Sequence, residues 1–207
     1  MPNFSRQSIT SIALILLNVV AAKYGDGVIA ALTISSRILA LAYMIMISWG
    51  QGFQPICAMN YGAKQYDRVK KAFKFAVIGG TLFLIIAAIL LYVFSEPLIK
   101  TMSNDNEVIL VGAEILRMQC ITMPLLGYFA ISSMLMQNIG QYFWASIISI
   151  SRQGIFYIPL LYILSNIFGK FGIYLLQPVA DVLSFGLAVI VVRKIKFAND
   201  KCKKDGI

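Results

Sequence analysis

The sequence predicts an all-α polytopic membrane protein built as one bundle of six transmembrane helices, and three observations point there. Apolar types make up 59% of the 207 residues and charged types 13%, the latter about half the share in an ordinary soluble domain. Uncharged stretches of roughly 20 residues, the length that crosses a bilayer core as a helix, recur along the chain. Lys and Arg crowd into alternate loops, as the positive-inside rule demands.

The first span, 6–23, rests on an uncharged run over residues 7–22. The second, 28–58, contains much of the uncharged run 38–63, and the third, 70–95, holds the clearest one, 75–94. The next uncharged run, 118–151, is too long for one helix. Its polar knot Gln137-Asn138-Ile139-Gly140-Gln141 reads as a turn, which divides a fourth span, 107–138, from a fifth, 143–168. Gly169-Lys170-Phe171-Gly172 then precedes the sixth, 172–193, and a basic tail follows at 194–207. The second and fourth spans exceed one crossing, so tilt or an irregular stretch near Gly50-Gln51-Gly52 is expected to absorb the excess.

Six spans sort the cations. One side collects Arg6, then Lys64, Arg68, Lys70, Lys71 and Lys74, then Arg193, Lys194, Lys196, Lys201, Lys203 and Lys204. The other side collects only Lys23, Lys100 and Lys170. Both termini are therefore expected in the cytoplasm, with the net charge of +9 facing anionic lipid. Arg6, an apolar run and Ala21-Ala22 also fit a signal peptide. Cleavage there would leave five spans and upset the charge asymmetry.

Several chemistries are excluded. With no histidine, there is no imidazole triad, His-ligated zinc or haem with a proximal His. Three scattered cysteines (Cys57, Cys120, Cys202) give no disulfide framework or paired-Cys metal site. No glycine-rich phosphate loop or Gly-x-Ser-x-Gly elbow occurs. No enzyme, metal or cofactor is expected, and no nucleic-acid partner.

Five ionisable groups fall within the spans: Arg37, Glu114, Arg117, Arg152 and Asp181. Each costs about 2.5–3.5 kcal/mol at mid-helix, so each should face the bundle interior, water or a partner. At about 1.5 Å per residue, Arg37 and Asp181 both lie roughly 13 Å from the outer surface and are placed to meet. Arg152 reaches a similar depth from the cytoplasmic side. Glu114 and Arg117 are three apart and spaced to touch. These groups are either clamps between helices or members of an ion-coupling network, in which Asp181 or Glu114 responds to a proton or cation. Glu114, about two turns from the outer end, can also snorkel.

Uncharged candidates for a ligand pocket are Asn18, Tyr43, Gln51, Gln54, Met123, Tyr128, Gln153 and Gln177. Amides hydrogen-bond between helices or to ligands, and methionines and aromatic rings suit flat, greasy, varied compounds. Pro55, Pro124, Pro159 and Pro178 each free a backbone carbonyl in or beside a span.

The second span and its exit read Gly50-Gln51-Gly52-Phe53-Gln54-Pro55-Ile56, then Asn60-Tyr61-Gly62-Ala63-Lys64, then Arg68-Val69. This text resembles the multidrug and toxic compound extrusion (MATE) family, in the second crossing of its C-terminal lobe. Pro2-Asn3-Phe4-Ser5-Arg6-Gln7 resembles the start of that family's seventh helix, and Ser36-Arg37-Ile38 part of the eighth. Ser151-Arg152-Gln153-Gly154 resembles the eleventh and Gln177-Pro178-Val179-Ala180-Asp181 the twelfth. The resemblance implies one six-helix lobe, helices seven to twelve, of a bacterial inner-membrane antiporter. Such proteins exchange H+ or Na+ for amphipathic, mostly cationic compounds by rocking two lobes. The family's Na+-coupled members use carboxylates on the seventh and tenth helices. Here the matching first span offers Ser8, Thr10 and Ser11, and the inner half of the fourth has no acid.

Half a rocking machine needs its complement. The chain is expected to be a fragment, or to pair with an N-terminal six-helix lobe in a separate chain; a homodimer ranks last. A flippase for lipid-linked oligosaccharides and a non-transporting membrane scaffold subunit are the alternative functions.

Overall fold

The computed structural model describes residues 2–204, and the side chains of 9–195. The expected roles of Arg6 and Ser8, and those of the tail side chains from Lys196 onward, therefore lie outside the described residues. Every described regular element is helical: α1 (Pro2–Ala21), α2 (Asp26–Gly62), α3 (Tyr66–Val93), the short α4 (Ser95–Lys100), α5 (Asn106–Thr122), α6 (Leu125–Asn138), α7 (Tyr142–Ile150), α8 (Tyr157–Phe168) and α9 (Lys170–Lys204). A 3-10 turn (Ala22–Tyr24) follows α1, and a π-helical turn (Ser151–Ile155) joins α7 to α8. Four helical stretches are long and apolar enough to cross a membrane, and the bent pair α5–α6 makes a fifth. Ile9–Tyr24 is apolar but shorter.

The excess length of the second and fourth predicted spans is resolved unequally. No irregular stretch interrupts α2 near Gly50, because the helix runs straight through Gly52 and Pro55 for 37 residues. The fourth span instead breaks at Met123–Pro124, where α5 and α6 meet at 56°. Pro124 has no N–H to donate to the carbonyl of Cys120. The Met123 N–H takes that oxygen at 3.3 Å, and tight i→i+3 bonds follow from Leu126 to Met123 and from Gly127 to Pro124. The fifth span widens rather than breaks: the Phe156 N–H reaches the Ser151 carbonyl five residues back, at 3.0 Å. Pro159 lies just beyond and cannot donate to Ile155. The polar knot does form the expected turn, with Gly140 at φ +81° between α6 and α7.

Packing divides into two large apolar clusters that share α2 and α5. One includes Met46, Leu84, Ile99, Leu116 and Ile131 from α2–α6. The other joins α1 to α2, α5, α8 and α9 through residues such as Leu17, Val28, Ile115, Leu161 and Leu176. α3 closes on α6 at Gly127, where a β-carbon would lie 3.0 Å from the Thr81 backbone; a small residue lets the two helices approach. The outer face of α3 carries exposed Phe75, Ile78, Leu82, Ile86, Ile89 and Val93, an apolar surface of the kind that lipid accepts.

Candidate functional site

Helices α1, α2, α5, α6, α7, α8 and α9, with the π-helical turn, line a partly open cavity of about 650 Å³. That volume is within the range of small-molecule sites. Its wall mixes chemistry: Leu14, Leu39 and Met123 stand beside Thr10, Gln51, Gln54, Gln119, Gln153 and Gln177.

The charged centre of the wall is an ion pair. Arg152 Nε donates to Asp181 Oδ1 at 2.6 Å, and Gln177 Nε2 donates to the same oxygen at 3.1 Å. Thr122 Oγ1 lies 3.3 Å from Asp181 Oδ2, and also 3.3 Å from the carbonyl of Gln119. That carbonyl has lost its regular helical donor, because the Met123 N–H turns to Cys120 at the break. The break thus puts the Thr122 hydroxyl between an orphaned carbonyl and the carboxylate. Asp181 is 3% exposed. The guanidinium of Arg152 lies over the Tyr43 ring, 5.2 Å from its centroid. Thr10 Oγ1 ties α1 to the π-helical turn by donating to Gln153 Oε1 at 2.6 Å. Gln119 Oε1 is buried without a partner.

Of the pocket candidates, Tyr43, Gln51, Gln54, Met123, Gln153 and Gln177 line this cavity. Asn18 does not; it lies exposed on α1. Tyr128 turns away too, packed edge-on between Phe73 and Phe185. Among the five intramembrane charges the structure joins only Arg152 and Asp181. Arg37 does not meet Asp181 and is exposed on α2, because equal depth fixes no direction around the helix axis. Arg117 does not touch Glu114. It reaches across to Ser95 Oγ at 2.8 Å and Glu96 Oε1 at 3.1 Å, with Tyr92 beneath it, while Glu114 is exposed.

Tyr157 belongs to the cavity wall and was not among the candidates. On a regular helix it would sit about 140° around from Arg152. The π-helical turn stacks residues five apart, which brings both side chains to one face. Pro159 is the only hint of this in the sequence.

The MatE family model matches residues 2–163. Multidrug export protein MepA of Staphylococcus haemolyticus is 23% identical over 195 residues, which cover 94% of this chain and 43% of that protein. MepA of Staphylococcus aureus (strain MSSA476) is 25% identical over 178 residues, covering 86% and 39%. The chain therefore spans less than half the length of these curated relatives. The bent form of the Vibrio cholerae MATE transporter VcmN superposes with a TM-score of 0.86 at 22% identity, over 93% of this chain and 44% of that one. The MATE multidrug transporter DinF-BH, solved in complex with R6G, gives 0.75 at 34% identity over the same shares. The fold is that of one lobe of a MATE transporter, and the chain belongs to the MatE family of membrane transporters.

Proposed function

We propose that this lobe is the C-terminal half of a multidrug efflux antiporter in a bacterial cytoplasmic membrane. It exports amphipathic, mostly cationic compounds in exchange for H+ or Na+ by alternating access. The observation that carries the reading is the polar cavity of about 650 Å³, walled by amides, aromatic rings and an internally neutralised ion pair. A pocket of that kind suits varied greasy ligands better than one fixed shape. In this reading α1, α2, α3, α5–α6, α7–α8 and α9 each cross the bilayer, with both ends of the chain in the cytoplasm. The lobe works against an N-terminal six-helix lobe, in the same chain or a separate one. Relatives more than twice as long, whose names describe export, support that arrangement.

Cells carrying this lobe together with an N-terminal MatE lobe should accumulate less ethidium than cells carrying either alone. Collapsing the ion gradient should restore accumulation. Export that continues unchanged without any gradient overturns the antiport reading.

A further inference from the structure

We propose that the Tyr66 end of α3 carries a headgroup site for an anionic phospholipid, at the level where the bilayer meets water. The site lies outside the cavity and rests on α3 crossing the bilayer, which its 28 apolar helical residues support. The first observation is one of alignment. Phe75, Ile78, Leu82, Ile86 and Ile89 recur at helical spacing and form an exposed apolar stripe along α3. Counting back from Ile78 and Phe75 in steps of three or four reaches Lys74, Lys71 and Arg68, all exposed. The three cations therefore cap the same stripe that faces lipid tails.

The second observation is independent and fixes the depth. The Trp49 ring of α2 packs beside Phe75, with centroids 6.0 Å apart, and its Nε1 donates to the carbonyl of Ala76 at 3.1 Å. Gly79 makes room for it, since a β-carbon there would lie 2.8 Å from the ring. Trp49 nevertheless stays 45% exposed, and an open tryptophan at the end of a span marks the boundary between tails and headgroups. Lys71 lies five residues before Ala76, about 7.5 Å farther along the axis. That step carries its ammonium from the boundary into the phosphate layer.

The ligand's charge follows from the balance at this end. Asp67 is the only acid between Met59 and Ser95, against Lys64, Arg68, Lys70, Lys71 and Lys74. Arg68, Lys71 and Lys74 make no hydrogen bond or ion pair among the described residues, so their donors face outward unspent. A phosphodiester with one negative charge meets lysine as a point charge and arginine as a fork. Its acyl chains lie along Phe75, Ile78 and Leu82. A zwitterionic lipid brings its own cation to the same place and is favoured less. Free phosphate has no tails for the stripe.

Native mass spectrometry tests this on the purified full chain, released from detergent with equal amounts of phosphatidylglycerol and phosphatidylcholine of the same acyl chains. Phosphatidylglycerol adducts should dominate, with about a fivefold preference for each cation engaged. Arg68→Gln, Lys71→Gln and Lys74→Gln together should abolish the preference, whereas Arg68→Lys, Lys71→Arg and Lys74→Arg together, which keep the charge, should retain it. Arg193→Gln with Lys194→Gln removes exposed cations from α9 instead and should leave the preference largely in place. Equal adducts on the unmodified chain, loss in the charge-keeping variant, or an equal loss per cation on α9 overturns the site and leaves the export reading untouched. Displacement of the lipid by inorganic phosphate, at an ionic strength held constant with chloride, would assign a soluble anion and overturn the lipid. A retained preference without gradient-dependent ethidium export would overturn the export reading alone.

Discussion

Two arginine–carboxylate pairs in this lobe are built from the same parts and end in opposite states. Arg117 and Glu96 join α5 to α4 at 3.1 Å, with side chains 39% and 45% exposed. Arg152 and Asp181 join the π-helical turn to α9 at 2.6 Å, with side chains 17% and 2% exposed. Each arginine covers a tyrosine ring, and each pair recruits a hydroxyl. In the exposed pair the arginine holds two partners, Ser95 and Glu96. In the buried pair the carboxylate holds three, while the arginine has one. The three contacts make Asp181 the more firmly held member and leave Arg152 the less committed one. The comparison separates a staple from a site.

The contrast is broken most directly by removing one carboxylate at a time. Asp181→Ala leaves a buried guanidinium without its counter-charge, and loss of one partner of such a pair costs about 3–5 kcal/mol. Thermal unfolding of the purified chain in detergent should show the largest drop of any single change considered. Adding Arg152→Leu should recover much of it, since an apolar replacement of both members is often close to neutral. A destabilisation by Asp181→Ala no larger than that by Glu96→Ala would erase the distinction between the pairs.

Asp181→Asn asks whether this carboxylate also titrates during transport. Arg152, Gln177 and Thr122 take three of its roughly four acceptor positions, which holds the carboxylate in place. In the two-lobe transporter the substitution should lower ethidium export by a similar factor at every pH, so that the profile keeps its shape. A flattened or displaced profile would instead make Asp181 part of the coupling network.

Much of this was legible in the sequence, and what was hidden has a physical cause. Run lengths and charge placement reveal which stretches are apolar helices, because both are properties of the chain read linearly. Gln177 and Asp181 form a visible i,i+4 pair on one helix face. The expected Arg37–Asp181 and Glu114–Arg117 contacts do not form, because helix depth follows from counting residues but the facing neighbour depends on tertiary rotation; Glu114 lies exposed, as a snorkelling group would. Tyr157 was missed because a π-helical turn resets the helical register without announcing itself. The break at Met123–Pro124 was signalled by its proline, yet Pro55 and Pro178 sit inside unbroken helices. A proline therefore marks where a carbonyl is freed, and packing decides whether the axis bends.

Thr122→Val sharpens the comparison from the other side of the buried pair. Among the described residues it removes the one hydrogen bond to Asp181 Oδ2, a long bond at 3.3 Å whose single proton is shared with the Gln119 carbonyl. The expected cost is about 1 kcal/mol, less than for a short charged hydrogen bond. It should appear as a modest drop in unfolding temperature. A loss as large as that in Asp181→Ala would mean that the hydroxyl, rather than the arginine, fixes the carboxylate.

The smallest effect belongs to Glu96→Gln. More than a third of each partner is open to solvent, so the Coulomb attraction is screened and the long side chains recover freedom when released. The substitution should change stability by less than about 1 kcal/mol. Whatever difference exists should fade when the unfolding is repeated in high salt, because the Debye length falls to about 3 Å at 1 M. The buried pair is shielded from mobile ions, so the cost of Asp181→Ala should persist in the same buffer. If salt diminished both costs equally, the cavity would be open to ions at the Arg152 end, and burial would no longer separate the two pairs.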